Sequence, residues 1–210
     1  MLRLQALLAL FLALPSWASA QDGHAYLGGG IGQGRTSASG LSVTTGAVAV
    51  TGQLGTATST GYKLYGGYQF DPHWGLEAGY NNLGNGYTIN ASVGGVPGTV
   101  GFKVDNWYLA GTGTLPLGDG RFSLLGKLGL VRNASSGGNF CSGGTCATLR
   151  PSGRTQGLVS VGAQYALGKK FSLRLEYEDY GTVTENDAWG PGTSGSIKAS
   201  LWNLSLKYDF

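Results

Sequence analysis

Much of the chain is written in runs of about ten residues in which apolar and polar positions alternate, each run bounded by turn residues. Side chains of a strand point to alternate sides, so each run has one apolar and one polar face. The carboxyl end shows the pattern most plainly. Ser200, Trp202, Leu204, Leu206, Tyr208 and Phe210 share one face, and Leu201, Asn203, Ser205, Lys207 and Asp209 share the other. A strand that crosses a bilayer needs about ten residues of this kind, with lipid on one side and a polar interior on the other.

The alternation predicts eight strands. The first spans 25–33, with Leu27, Gly29 and Ile31 outward, although its glycines carry little facing signal. The second, 60–70, turns Tyr62, Leu64, Gly66, Tyr68 and Phe70 out and Lys63, Tyr65 and Gln69 in. The third, 74–83, turns Trp74, Leu76, Ala78 and Tyr80 out and Glu77 and Asn81 in. The fourth, 102–116, places Trp107, Leu109 and Leu115 outward and Asn106, Tyr108 and Thr112 inward. The fifth, 121–132, has Phe122, Leu124, Leu128 and Leu130 outward and Lys127 inward. The sixth, 155–167, faces Val159, Val161, Ala163, Tyr165 and Leu167 out. The seventh, 171–181, separates Phe171, Leu173, Leu175 and Tyr177 from Arg174, Glu176 and Glu178, and the eighth is the carboxyl-terminal strand.

Connections alternate in length. Tight turns fall at 71–73, 118–120 and 168–170, and long segments at 34–59, 84–101, 133–154 and 182–197. Short turns at one end and long loops at the other belong to a closed, all-β, eight-stranded antiparallel transmembrane β-barrel with both termini periplasmic. A soluble sandwich also has many short strands, but it buries its apolar face and has no reason to set Trp and Tyr at the strand ends of that face. Val43, Val48 and Val50 suggest that the first long segment extends its strands beyond the membrane.

The amino end names the compartment. Residues 1–20 combine Arg3, an apolar run from Leu4 to Leu14, Pro15 and the small tripeptide Ala18-Ser19-Ala20. This is a secretory signal peptide with cleavage expected between Ala20 and Gln21, leaving 21–210 as the barrel domain. Composition agrees. Glycine accounts for 39 of 210 residues and charged residues for only 12%, against roughly 7% and 25% in ordinary domains. The formal net charge of +3 is too small for a nucleic-acid partner.

Leu76-Glu77-Ala78-Gly79-Tyr80, Arg174-Leu175-Glu176-Tyr177 and the Phe210 terminus resemble the transmembrane domain of OmpA-type outer-membrane proteins. The resemblance implies an outer-membrane barrel of a Gram-negative bacterium, with lipid and lipopolysaccharide around it. It also implies that Tyr208 and Phe210 form the signal read by the barrel assembly machinery. The chain ends at the barrel, so the family's periplasmic peptidoglycan-binding domain and its tethering role do not carry over.

An interior eight strands wide is filled by side chains. The expected lumen ion-pair network comprises Glu77, Lys127, Arg174, Glu176 and Lys207, with Glu77 and Arg174 meeting across the lumen from opposite strands. In the OmpA family such a pair resembles a gate for small ions; the alternative is a network that only fills and staples the barrel. The expected role is therefore structural, in membrane integrity, with a small gated ion path held open as an addition. The alternative is a surface adhesin or ligand-binding barrel acting through its loops.

Cys141 and Cys146, in an outer loop of an exported chain, are expected to form a disulfide. No metal site, cofactor or catalytic residue is assigned. His24 and His73 form no recognisable triad in the sequence, and the stretch from Gly120 to Lys127 has the wrong spacing for a P-loop. A monomer is expected.

Overall fold

The computed structural model describes the backbone of residues 23–45, 48–51, 56–84, 87–93, 96–142, 145–148, 152–184 and 193–210, and side chains over 23–37, 56–84, 103–135, 153–183 and 196–210. The leader and its cleavage point at Ala20 and Gln21 lie outside the described residues. The strands are β1 (His24–Thr45), β2 (Val48–Thr51), β3 (Thr56–Gln69), β4 (Trp74–Asn82), β5 (Tyr87–Val93), β6 (Val96–Leu117), β7 (Phe122–Ser142), β8 (Thr145–Thr148), β9 (Ser152–Ala166), β10 (Phe171–Thr184) and β11 (Thr193–Asp209). Eight of them follow one another in the order β6-β4-β3-β1-β11-β10-β9-β7, and pairing of β6 with β7 closes the ring. Every pairing is antiparallel.

The three remaining strands correct the expected long loops. β2 pairs with β1, β5 with β6 and β8 with β7, so the sheet continues past the apolar band as hairpins. Val43 pairs with Val50, as the valines of that segment suggested. The expected first, fourth and fifth strands are accordingly too short: β1, β6 and β7 run 22, 22 and 21 residues. The Gly/Ser/Thr-rich ends of these strands carry little alternation, while backbone pairing persists.

At the opposite end the turns are tight. The Asp71 carboxylate accepts hydrogen bonds from the backbone N–H groups of His73 at 2.7 Å and Trp74 at 2.8 Å. Those two bonds hold its carboxyl below the usual carboxylate range. Gly118 and Gly120 take φ of 59° and 78°, which only glycine adopts without strain.

Leu27, Ile31, Leu64, Leu128, Val161 and Leu175 are exposed on the outer wall, as a lipid-facing surface requires. Aromatic side chains close this band at both ends. Phe171 and Tyr208 stand 5.1 Å apart at the turn end, and Tyr177 and Trp202 stand 5.0 Å apart toward the hairpins.

Glycines of β1, β3 and β4 have a packing role that alternation could not reveal. Gly28 pairs with Tyr65, Tyr26 with Gly67, and Gly79 with Tyr108. In each pair the ring reaches over its glycine: a Cβ added at Gly28, Gly67 or Gly79 would fall 2.3, 2.5 or 2.6 Å from the partner tyrosine's ring. The missing side chains thus make room for three inward tyrosines. We expect Gly28→Ala to cost about 1–3 kcal/mol through overpacking. Gly168→Ala, whose Cβ meets nothing within 4 Å, should stay within about 0.5 kcal/mol. Urea midpoints of the two refolded variants check this, and equal midpoints would refute the ring-over-glycine account.

Candidate functional site in the barrel lumen

Glu77 on β4 is the hub of the interior. Its Oε1 accepts from Lys127 Nζ on β7 at 2.6 Å and from the Tyr108 hydroxyl on β6 at 2.6 Å. Its Oε2 accepts from Arg174 Nη1 on β10 at 2.7 Å and from the Tyr26 hydroxyl on β1 at 3.1 Å. Arg174 also donates through Nε to Gln164 Oε1 at 3.0 Å. The guanidinium lies 5.4 Å from the ring centre of Tyr26 and 5.1 Å from that of Tyr65.

Lys63 on β3 and Glu178 on β10 join this core. Lys63 Nζ reaches Glu178 at 2.7 Å and Glu176 at 3.0 Å, and Lys127 Nζ lies 2.5 Å from Glu176 and 3.4 Å from Glu178. Glu178 takes a further hydrogen bond from the Tyr180 hydroxyl at 2.7 Å. The side chains of Lys63, Lys127, Glu77, Glu176 and Glu178 are wholly buried, and that of Arg174 is 2% exposed. Three cations thus face three carboxylates, a formally neutral cluster in a dry interior, where an unpaired charge would cost several kcal/mol.

The structure brings together four of the five network residues expected from the sequence: Glu77, Lys127, Arg174 and Glu176. Lys207 stands apart. Arg174 pairs with Ser205, while Lys207 pairs with Ser172, closer to the turn end, so Lys207 is not in the layer of Glu77. Its partner is Asp209 at 2.7 Å, which also contacts His24 Nε2 at 3.0 Å. Counting residues from each turn ignores the stagger of tilted strands. Lys127 pairs with Ser160, and Ser160 with Glu178, so a residue further from its own turn meets the same cation. The sequence turns Lys63 and Glu178 inward, and it is the stagger that brings both into this cluster. Alternation turns Tyr65 and Tyr108 inward but says nothing of what they bind, and it gives Tyr26 no role; their pairing with glycines was the available signal.

Toward the hairpins the interior changes character. Leu83, Val104, Val131, Leu158, Tyr180, Val183, Ile197, Ala199 and Leu201 form one apolar cluster, each at most 2% exposed. They come from six neighbouring staves of the ring, and along β4, β7, β10 and β11 they lie on the hairpin side of that stave's inward charges. A largely apolar tier, interleaved with the buried Asn81, Asn106 and Asn133, therefore lies on the hairpin side of the ion pairs, where the sequence suggested a polar lumen throughout.

Cys141 and Cys146 are direct backbone partners across the β7–β8 hairpin; their side chains lie outside the described residues. At the other end, Tyr208 packs on Phe210 at 5.1 Å, and the Phe210 backbone N–H donates to the Ala25 carbonyl at 3.1 Å, joining the start of β1 to the end of β11 across their seam.

A closed barrel of eight staggered strands, banded outside by aromatics and packed inside with paired charges, defines a transmembrane protein of the bacterial outer membrane. The chain belongs to the outer membrane protein β-barrel domain family, whose sequence profile matches residues 4–210. Among solved structures it is similar to the outer membrane protein OprG from Pseudomonas aeruginosa, at 15% identity and a TM-score of 0.55 over 89% of this chain and 96% of that one. The N-terminal β-barrel domain of Pseudomonas aeruginosa OprF matches at 10% identity and a TM-score of 0.50, covering 90% and 100%. The outer membrane protease OmpT from Escherichia coli matches at 12% identity and a TM-score of 0.50, covering 91% and 99%. At these identities the likeness is one of fold, and a protease is among the proteins that share it. No protein of curated function matches the chain in sequence. The protein resides in the outer membrane of a Gram-negative bacterium, and the tight turns mark its periplasmic end.

Proposed function

We propose that the protein is a closed scaffold of the outer membrane, with a structural role in membrane integrity and no ion path through its lumen. The observation that carries this reading is the apolar tier above the neutral ion-pair cluster. A permeating ion would have to shed its hydration against Leu83, Val104, Ile197 and Leu201, whose side chains offer no polar group to replace it. A gate built on Glu77 and Arg174 alone would leave this tier in place. We read both histidines as structural: His24 secures Asp209 at the seam, and His73 lies beside Asp71 in an exposed turn.

The length of β1, β6 and β7 favours a second reading, binding at the cell surface. Each runs about twice the ten residues a bilayer requires. On that reading a disulfide between Cys141 and Cys146 would fix the tip of the β7–β8 hairpin. Trimming residues 137–150 to a short turn, in a strain deleted for the native gene, separates the two. The scaffold reading expects detergent resistance restored to the level of the full-length protein. Loss of restoration by a trimmed barrel that still folds would transfer the function to the hairpins.

A further inference from the structure

At the extracellular end, the outward positions of β3, β1 and β11 form a small polar array set by strand register. Arg35 lies at its centre, paired with Thr58 on β3 and Ser200 on β11. One rung further out, Ser37 pairs with Lys198; one rung nearer the membrane, Gln33 pairs with Trp202. Arg35, Ser37, Thr58 and Lys198 are all exposed on the outer wall. Among the described residues neither cation has an ion-pair partner. The carboxylate nearest by register, Asp179, pairs with Ser200 but accepts the backbone N–H of its own Gly181 at 2.8 Å.

Depth gives this patch its meaning. Trp202 belongs to the upper aromatic girdle, where the hydrocarbon meets the headgroups. Arg35 lies one rung beyond, about 7 Å along the strand, at the level of lipid headgroups. Two cations held in no ion pair and flanked by hydroxyl donors are the chemistry that holds a phosphate monoester, with the guanidinium making paired hydrogen bonds and the ammonium adding a point charge. We propose that Arg35 and Lys198, with the hydroxyls of Ser37, Thr58 and Ser200, bind a phosphate of the lipid A headgroup of lipopolysaccharide in the outer leaflet. The inference rests on the barrel's orientation, not on whether its lumen conducts.

The test titrates refolded mature protein, in nonionic detergent, into fluorescently labelled lipopolysaccharide and into the same lipopolysaccharide after phosphatase treatment. Folding is verified by heat-modifiable gel mobility. The wild type should bind intact lipopolysaccharide at least tenfold more tightly than Arg35→Ala/Lys198→Ala does, and the preference should vanish for dephosphorylated lipid. Arg121→Ala serves as control, because Arg121 lies in a periplasmic turn 3.7 Å from Asp119, and it should bind as the wild type does. Equal binding by the double variant, or equal binding of dephosphorylated lipid, would overturn the site. Loss of binding in Arg121→Ala alone would overturn it by placing the contact at the other rim.

Discussion

Glu77→Ala should lower the unfolding free energy of the barrel by about 3–5 kcal/mol, the usual cost of removing one partner from a buried ion pair. Glu77 holds Lys127 and Arg174 directly and accepts two tyrosine hydroxyls. Without it Arg174 keeps no carboxylate within ion-pair distance among the described residues, and the lumen carries an excess positive charge. Glu77→Gln should fare little better, since an amide cannot neutralise two cations. Because the groups act as one unit, Glu77→Ala/Arg174→Ala should cost at least about 1 kcal/mol less than the sum of the two single changes. Urea unfolding of the refolded proteins in lipid vesicles measures all four. Additive losses would mean that the two residues do not pair in the folded barrel.

The second large effect lies on the outer wall. Leu175→Arg should cost about 2–4 kcal/mol, as an arginine near the bilayer midplane does on a barrel's lipid face. Leu175 lies between the two girdles on its own strand, Phe171 toward the periplasm and Tyr177 toward the surface, and is half exposed. It pairs with Leu204 and Ala163, so its neighbours on the wall offer no polar group. Ser200→Arg on the adjacent strand is the matched comparison: it too faces outward, but at headgroup depth, where the cost falls to about 0–1 kcal/mol. Glu176 would be a poor comparator despite its adjacency, because it holds Lys63 and Lys127 in the lumen. Equal losses at Leu175 and Ser200 would contradict the placement of the membrane on this wall.

Facing was legible in the sequence because lipid enforces it: Trp74 and Leu76 out with Glu77 in, Leu173 and Leu175 out with Arg174 and Glu176 in. Closure and strand number followed from the same alternation and from the turns. Three features were not legible. Strand length beyond the bilayer was hidden because Gly/Ser/Thr segments such as the end of β1 pair through backbone alone. The membership of Lys63 and Glu178, and the separation of Lys207, depend on stagger, which a count along one strand does not contain. The apolar tier was missed because Leu83, Leu158, Ile197 and Leu201 fall on the inward face, where a polar lumen was assumed. Each of these is a property of rows across strands rather than of any one strand.

Planar-bilayer recording of the refolded mature protein tests the closed lumen most directly, with Glu77→Ala and Arg174→Ala recorded alongside and folding confirmed for each. The apolar tier predicts silence in all three, since breaking the ion pairs leaves Leu83, Val104 and Leu201 across the path. Discrete channels in the wild type whose size or open time changes in the two variants would make the charged cluster a gate and contradict the account.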